Sequence, residues 1–158
     1  MSYGDLWQAV KLQPRPSRVA LEFLTPTSFK GQFAAQPIAR NLPLPIPSLV
    51  FQSLARKWQA FAPPELRLAS LSEGPETTED LLTQVIQLAS LDSFEIRSHT
   101  EDFQDKVEAG FTGRCEFSLP SQAPQRLKAA LRLLAEYAFF AGVGRETTWG
   151  RGQARPVA

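Results

Sequence analysis

The segment APQRLKAALRLLAEYAFFAGVGRETTWGRGQARPV, residues 123–157, combines a helix pattern, a glycine-rich loop and an extended end. Its apolar residues recur at helical spacing, at Leu127, Ala130, Leu131, Leu134 and Ala138. One face of this helix is therefore expected to be buried. Pro124 suits the first turn of the helix, and Gly142 suits its C-terminal cap. The residues GQARPV, 152–157, predict one short final strand.

An antiparallel hairpin is predicted before this helix. The extended patterns are SFEIRSHTED, residues 93–102, and EAGFTGRCEFSLP, residues 108–120, with a polar turn between them. Phe111, Cys115 and Phe117 fall on one side of the second pattern, as a half-buried strand requires. The four carboxylates near the turn, at Glu101, Asp102, Asp105 and Glu108, are interpreted as a solvated turn rather than a two-metal site, because nothing in the sequence makes them converge.

The first half of the chain supplies one strand and two helices. SRVALEFLTP, residues 17–26, alternates apolar residues at Val19, Leu21 and Phe23, so it predicts a strand that ends at Pro26. Five prolines then predict a long loop. SLVFQSLARKWQAFAPP, residues 48–64, predicts a helix with Ser48 as N-cap. Its apolar stripe is Val50, Leu54, Trp58 and Phe61.

A short additional helix is predicted over TTEDLLTQVIQLAS, residues 77–90. Thr77 or Thr78 suits its N-cap. Its apolar side is Leu82, Val85, Ile86 and Ala89.

The resulting order is strand, helix, strand, strand, helix, strand. That order predicts an α+β, ferredoxin-like (βαββαβ) domain, a four-stranded antiparallel sheet with helices on one face and one inserted short helix. The last strand of this fold lies at a sheet edge, where Pro156 is tolerated. We assign residues 17–158 to this domain and interpret residues 1–16 as an N-terminal segment or linker remnant, since KLQPRPS resembles a linker.

Composition excludes several functional classes. The chain has 158 residues, 43% of them hydrophobic and 21% charged, as in a soluble globular protein. Neither a membrane span nor a signal peptide is visible in the sequence, so we expect a cytoplasmic protein. One cysteine and one histidine do not make a four-ligand zinc site, and we expect neither metal nor cofactor.

Positive charge is concentrated at the C-terminal end. Residues 124–158 hold six basic and two acidic side chains, a net of +4, whereas the whole chain has a net charge of +1. A basic region of this kind is a weak indication of a polyanionic partner. A solvated helix face and tail would explain the same charges.

The glycine-rich loop fits neither of the two common phosphate-binding motifs. Gly144 and Gly150 enclose five residues rather than the four of a P-loop, and Arg151 follows instead of Lys-Ser or Lys-Thr. A dinucleotide fingerprint needs a third glycine where this chain has Thr147, and it must precede a helix. Two explanations remain: a turn that needs glycine for its own geometry, or a loop whose backbone N–H groups and arginines meet phosphate oxygens.

Four passages together resemble one known family. They are FLTPTSF (residues 23–29), LPLPIPSLVFQSLARKWQAF (42–61), GFTGRCEFSL (110–119) and the paired glycines after FFAG. In combination they resemble CRISPR-associated protein six, the endoribonucleases that process CRISPR repeat RNA within the repeat-associated RNA-binding superfamily. The resemblance covers roughly residues 17–157 and matches the second of the two ferredoxin-like domains usual in that family. Arg151 stands where the family has an apolar residue.

The resemblance implies binding and processing of CRISPR repeat RNA (pre-crRNA) in antiviral defence, by metal-independent attack of a ribose 2′-OH on the next phosphate. The usual catalytic N-terminal domain is not evident, so whether the chain is itself an enzyme stays open. Expected partners are the repeat RNA and a separate N-terminal or catalytic domain, or other CRISPR effector subunits. The expected RNA contacts are Gly142, Gly144, Arg145, Thr147, Thr148, Gly150, Arg151, Gly152 and Arg155.

No catalytic residue is assigned from the sequence. His99 is the only histidine and hence the only conventional general base, but its strand context predicts a solvent-facing side chain outside the family's catalytic positions. Trp149 suits stacking on a base and packing on the sheet equally well. The alternatives to a nuclease domain are a non-catalytic RNA-binding or scaffold subunit that needs a separate catalytic domain, and a complete nuclease that uses His99.

Overall fold

A computed structural model describes residues 1–12, 16–31, 40–66, 78–103 and 105–158 of the chain. The helices are α1 (Tyr3–Leu12), α2 (Pro47–Phe61), α3 (Thr78–Leu88) and α4 (Gln125–Ala141). The strands are β1 (Arg18–Thr27), β2 (Phe29–Gly31), β3 (Arg40–Leu42), β4 (Ser90–Phe103), β5 (Lys106–Ser118) and β6 (Ala154–Val157).

The main sheet has the strand order β4-β5-β1-β6, and every neighbouring pair is antiparallel. With α2 between β1 and β4, and α4 between β5 and β6, this is the predicted ferredoxin-like arrangement. The inserted helix, α3, is confirmed. The final strand lies at the sheet edge, and Pro156 faces Leu21 there.

The core lies between the sheet and the helices. Leu21 and Phe23 of β1 and Cys115 of β5 are fully buried or nearly so, and Phe117 of β5 meets Phe51 of α2 edge-on, with ring centroids 5.2 Å apart. All five apolar residues predicted for the buried face of α4 are buried. Alternate side chains of each strand point to the opposite face of the sheet, where polar and charged residues predominate.

Helix α2 begins two residues earlier than predicted. Ile46, not Ser48, is the N-cap, and no side chain caps the helix, because Pro47 begins it with a preset φ and without an N–H to satisfy. The buried stripe holds Val50, Leu54 and Trp58 as predicted, but Phe61 is 70% exposed. The apolar stripe therefore ends one turn before the helix does.

Strand β1 continues past Pro26 to Thr27, contrary to the prediction. The register of its pairing with β5 shifts between Phe23 and Thr27, and Pro26 lies in this irregular stretch, outside the regular ladder of hydrogen bonds. The loop predicted after β1 also contains two short paired strands, β2 and β3, within its described residues. This ribbon adjoins the outer part of the hairpin, where Asn41 Nδ2 donates to Ala109 O at 2.9 Å.

Helix α1 was not predicted. Leu6, Trp7 and Val10 are buried, and the Trp7 ring stacks on that of Trp58 with centroids 6.5 Å apart. The Tyr3 hydroxyl lies 3.1 Å from that of Tyr137 on α4. Residues 1–12 thus contribute to the same core, while the division of the chain at residue 16 stays a prediction.

Some predictions fall outside the described residues. Thr77, the side chains of Thr78 and Leu82, and Gln104 in the hairpin turn are among them. Across the described ranges, no helix is both long and apolar enough to cross a membrane.

Replacing Trp7 with alanine tests whether α1 belongs to this core. Because Trp7 is 4% exposed, Trp7→Ala is expected to lower the free energy of unfolding by about 3–5 kcal/mol. Urea unfolding followed by circular dichroism measures the change. Phe61→Ala is the matched aromatic control, and its effect should stay within about 0.5 kcal/mol. Equal effects of the two substitutions would contradict the docking of α1.

Candidate nucleic-acid interface

The glycine-rich loop, residues 142–153, joins α4 to β6 through backbone conformations that favour glycine. The φ angles of Gly142, Gly144, Gly150 and Gly152 are 69°, 81°, 85° and 68°. L-residues other than glycine reach this left-handed region only at a cost in free energy. Between the two glycine pairs lies one short 3₁₀ turn, Thr147–Trp149, which forms the tip of the loop.

The two ends of the loop cross in direct backbone contact. The N–H of Val143 donates to the carbonyl of Gly152 at 2.7 Å. A Cβ atom on Gly152 would overlap the Val143 carbonyl oxygen, and one on Gly144 would overlap the carbonyl oxygen of Ser28. At Gly150, by contrast, no atom lies within 4 Å of the Cβ position. Gly144 and Gly152 are therefore required by packing, and Gly150 by its φ angle alone.

The loop is anchored on the irregular end of β1. Gly152 N donates to Pro26 O at 3.1 Å, and Arg145 N donates to Ser28 O at 3.0 Å. The Thr25 hydroxyl accepts from Gln153 N at 2.9 Å. Because the pairing of β1 is irregular here, the carbonyls of Pro26 and Ser28 accept hydrogen bonds from the loop rather than from a neighbouring strand.

Helix α2 holds the other side of the loop. The Ser53 hydroxyl accepts from Gly144 N at 2.9 Å. Lys57 Nζ donates to the carbonyls of Ala141, Gly142 and Gly144 at 3.4, 3.1 and 3.4 Å, at the negative end of the α4 dipole. Burial lowers the pKa of Lys57 to about 8.

The glycine N–H groups, which we expected to meet phosphate, have partners within the protein in this structure. Gly142 N donates to Ala138 O, Gly150 N donates to Thr147 O, and the N–H groups of Gly144 and Gly152 have the partners named above. These four donors stabilise the loop itself. The glycines thus serve the geometry of the loop itself, the first of the two explanations left open by the sequence, and phosphate contact by their N–H groups stays a prediction.

Arg151 lies inside the protein rather than on its surface. It is 3% exposed, and its Nη1 forms an ion pair with Glu101 of β4. Its Nη2 lies 3.4 Å from both Ser28 Oγ and the Ala109 carbonyl oxygen, and its Nε lies 3.9 Å from Glu146 Oε2. Direct phosphate contact by this arginine would require these contacts to open.

Arg145 joins the same cluster from the start of the loop. Its guanidinium lies 3.4 Å from Glu108 Oε1, 3.6 Å from Glu146 Oε1 and 3.3 Å from Asn41 Oδ1. Two arginines therefore meet three glutamates, a net formal charge of −1 for these five side chains. The interpretation of Glu101 and Glu108 as a solvated turn is wrong, since both pair with the loop; Asp102 and Asp105 are exposed as predicted.

The exposed part of the loop is its tip. Thr148 and Gly150 are exposed, and Trp149 is 65% exposed, so the interpretation of Trp149 as packed on the sheet is wrong. Thr147 is half-buried, and its Cγ2 would lie 2.8 Å from a Cβ on Gly142. Arg155 follows on β6 with half of its side chain exposed, and its Nη2 lies 2.6 Å from Glu22 Oε2.

A shallow cavity of about 280 Å³ adjoins the loop. Leu24, Phe139 and Phe140 line it with exposed apolar surface, and Gln153 adds a polar side chain. Phe139 and Phe140 follow the buried face of α4 at its C-terminal end, where the helix extends beyond the core. Exposed apolar surface gathered at one place is typical of a binding surface.

His99 is exposed on the polar face of the sheet, as predicted. Its Nε2 lies 2.7 Å from Thr112 Oγ1, and no other polar contact of the ring is present among the described residues. No cluster of potential metal-binding side chains is present in the part of the chain that the structure describes.

Comparison with known proteins gives consistent matches. The family model described as "CRISPR-associated endoribonuclease Cas6" matches residues 21–154. The chain is 28% identical over 145 residues to "CRISPR-associated endoribonuclease Cas6" of Mycobacterium tuberculosis (strain CDC 1551 / Oshkosh), an alignment that covers 90% of this chain and 40% of that protein.

Solved structures agree with these sequence matches. Thermus thermophilus Cas6, in a product complex, superposes with a TM-score of 0.79 and 32% identity over 96% of this chain and 55% of that one. A second Cas6 product complex superposes with a TM-score of 0.78 and 29% identity over 100% of this chain and 57% of that one. The chain thus spans well under two thirds of the length of these relatives.

The contrast between Gly152 and Gly150 gives a test of the loop geometry. Gly152→Ala is expected to lower the free energy of unfolding by at least about 3 kcal/mol, because the new Cβ would overlap the Val143 carbonyl. Gly150→Ala adds only the cost of a left-handed alanine, about 1–2 kcal/mol. Thermal unfolding of both variants measures the difference, and equal losses would show that the crossing is not close-packed.

The buried Lys57 predicts a pH dependence of stability. Between pH 8 and 10.5, the lysine keeps its proton in the unfolded chain but loses it in the folded one. The free energy of unfolding should therefore gain a contribution that rises with pH across this window. Lys57→Met removes that contribution, so the difference between wild type and variant, measured by urea unfolding, should grow with pH. A difference that falls with pH would contradict the depressed pKa.

Proposed function

The chain belongs to the CRISPR-associated endoribonuclease Cas6 family, and from that premise we propose that it binds CRISPR repeat RNA through its glycine-rich loop as part of pre-crRNA processing. The observation that carries the proposal is the rigid anchoring of an exposed loop tip. Main-chain and side-chain bonds from β1 and α2 hold the loop, while Thr148, Trp149 and Gly150 remain exposed.

Rigid anchoring favours binding because a preformed loop loses little conformational entropy when RNA docks. Trp149 offers an aromatic surface on which an unpaired base can stack. The cavity beside Phe139 and Phe140 suits a second unpaired base, with the Gln153 amide as a hydrogen-bonding group. Thr147, Thr148 and Arg155 are the proposed polar contacts, whereas the four glycines, Arg145 and Arg151 would support them.

The proposed reaction is metal-independent cleavage by a ribose 2′-OH, which needs a general base, a general acid and cationic stabilisation of the phosphorane. Glutamates already neutralise Arg145 and Arg151, and within the described ranges the His99 ring has Thr112 as its one polar partner. We therefore propose that residues 17–158 form the RNA-binding, C-terminal type of domain, and that the catalytic groups belong to a separate N-terminal domain, in a cytoplasmic enzyme.

A second candidate is an RNA-binding or scaffold subunit without chemistry of its own. The neutralised cluster favours it, because those side chains add no net positive charge near a scissile phosphate. The two candidates differ only in whether the catalytic groups that complete the site belong to the same protein as this domain or to another one.

The test is incubation of excess protein with end-labelled CRISPR repeat RNA in EDTA, followed by native and denaturing gels. A native shift without cleavage is expected. Trp149→Ala should weaken binding about tenfold, the loss of one stacked base, while the variant stays folded at the temperature of the assay. Phe61→Ala, an exposed aromatic of α2, is the matched control and should bind as the wild type does.

Other outcomes would redirect the proposal. A wild-type chain that gives no shift would contradict RNA binding by this domain. Cleavage at one site would place the catalytic groups within these 158 residues, and His99→Ala would then be the next variant, since unchanged cleavage would reject His99 as the base.

A further inference from the structure

We propose that Arg151 is a positioning residue, which sets the glycine-rich loop in its RNA-binding conformation through Glu101 and Glu146 instead of contacting phosphate itself. This inference rests on the proposed function. It concerns a position where the chain carries a charged side chain in place of the apolar residue that we expect from the family resemblance.

Arg151 joins three separate parts of the chain. Its guanidinium reaches Glu101 and the Ala109 carbonyl on the two strands of the hairpin, Ser28 at the junction of β1 and β2, and Glu146 within the loop. A planar guanidinium with five N–H donors can bridge several acceptors at once, which a lysine ammonium on its flexible stem does less well.

The hairpin is shaped to receive this side chain. A Cβ on Gly110 would lie 3.0 Å from Arg151 Nη2 and 2.8 Å from Pro26 Cβ. Gly110 therefore leaves space in which the arginine and the end of β1 pack on the outer part of β5. The same stretch of β5 supplies the Ala109 carbonyl as an acceptor.

Burial and charge both argue against a direct phosphate contact. Arg151 is 3% exposed, and two carboxylates already oppose its charge. An arginine that turned to a phosphate would lose its ion pair with Glu101, which is unfavourable because the guanidinium itself is buried where that pair forms. A neutralised guanidinium also releases few counterions from RNA, so it adds little to the salt dependence of binding.

The side chain acts on the tip through the backbone. Trp149 and Gly150 directly precede Arg151, and Gly150 has no packing neighbour near its Cβ position to hold it. The inward anchor at residue 151 therefore limits how the exposed turn can swing. Loss of the anchor is expected to loosen the tip while the crossing at Val143 and Gly152 persists.

The experiment is a double-mutant cycle in the 158-residue chain, with Arg151→Met, Glu101→Gln and the variant that carries both. The affinity of each protein for repeat RNA is measured at several salt concentrations. Positioning predicts about a tenfold loss for Arg151→Met, a smaller loss for Glu101→Gln, and a double variant no weaker than Arg151→Met. The slope of log affinity against log salt should stay unchanged. Arg151→Lys should recover only part of the affinity.

A direct phosphate contact predicts a different pattern. The slope of log affinity against log salt would fall by about one in Arg151→Met, and Arg151→Lys would bind nearly as the wild type does. The losses in binding free energy of Arg151→Met and Glu101→Gln would add in the double variant. If the role of Arg151 is purely structural, Arg151→Met would lower the midpoint of thermal unfolding. Its affinity for RNA would be unchanged at temperatures well below that midpoint. Either pattern overturns the proposal.

Glu101→Gln keeps the test decisive if Arg151→Met does not fold. The Glu101 side chain is 40% exposed, so its amide should be tolerated, and unchanged affinity in this variant alone would overturn the proposal. The matched control is Arg18→Met with Asp92→Asn, an exposed ion pair at the far end of the sheet, which should show no coupling in affinity. A wild-type chain that binds no RNA would instead overturn the proposed function, and this inference with it.

Discussion

The crossing of the backbone at Val143 and Gly152 is the constraint on which the candidate interface depends. The two segments approach so closely that a side chain at residue 152 would collide with a main-chain carbonyl. The crossing closes the loop at its base, so the residues between the glycine pairs must project outward as a short turn. The hydrogen bonds from β1 and α2 then fix the direction of that turn relative to the sheet.

The passages that resemble Cas6 are far apart in sequence but form one set of contacts. Residues 23–29 supply the carbonyls of Pro26 and Ser28, and residues 42–61 supply Ser53 and Lys57. Residues 110–119 begin with Gly110, which makes room for Arg151. Each passage meets the glycine-rich loop directly, which is a physical reason for finding them together in one chain.

Local patterns predicted the main fold, and long-range contacts account for most of what they missed. Apolar periodicity located α2, α3, α4 and the second hairpin strand, β5, because each of these elements buries one face. The spacing of Leu6, Trp7 and Val10 was a signal for α1 that the prolines after it obscured. The pairing of Arg151 with Glu101 was beyond such reasoning, since fifty residues separate the two side chains. The sequence therefore located the loop but did not reveal that its arginines point inward.

The first and the last strand of the sequence, β1 and β6, pair with each other in the main sheet and run antiparallel. Phe23 faces Ala154, and Ala20 faces Val157. Contacts between such distant residues form slowly, because a long stretch of chain must be ordered before they close. A nascent chain that has not yet released residues 154–157 from the ribosome would have at most three strands in its main sheet, and the Gly152 end of the loop would not yet be held by the pairing of β6 with β1. We therefore expect the candidate interface to mature only as translation of this domain ends, so that a partly synthesised chain cannot engage RNA through the glycine-rich loop.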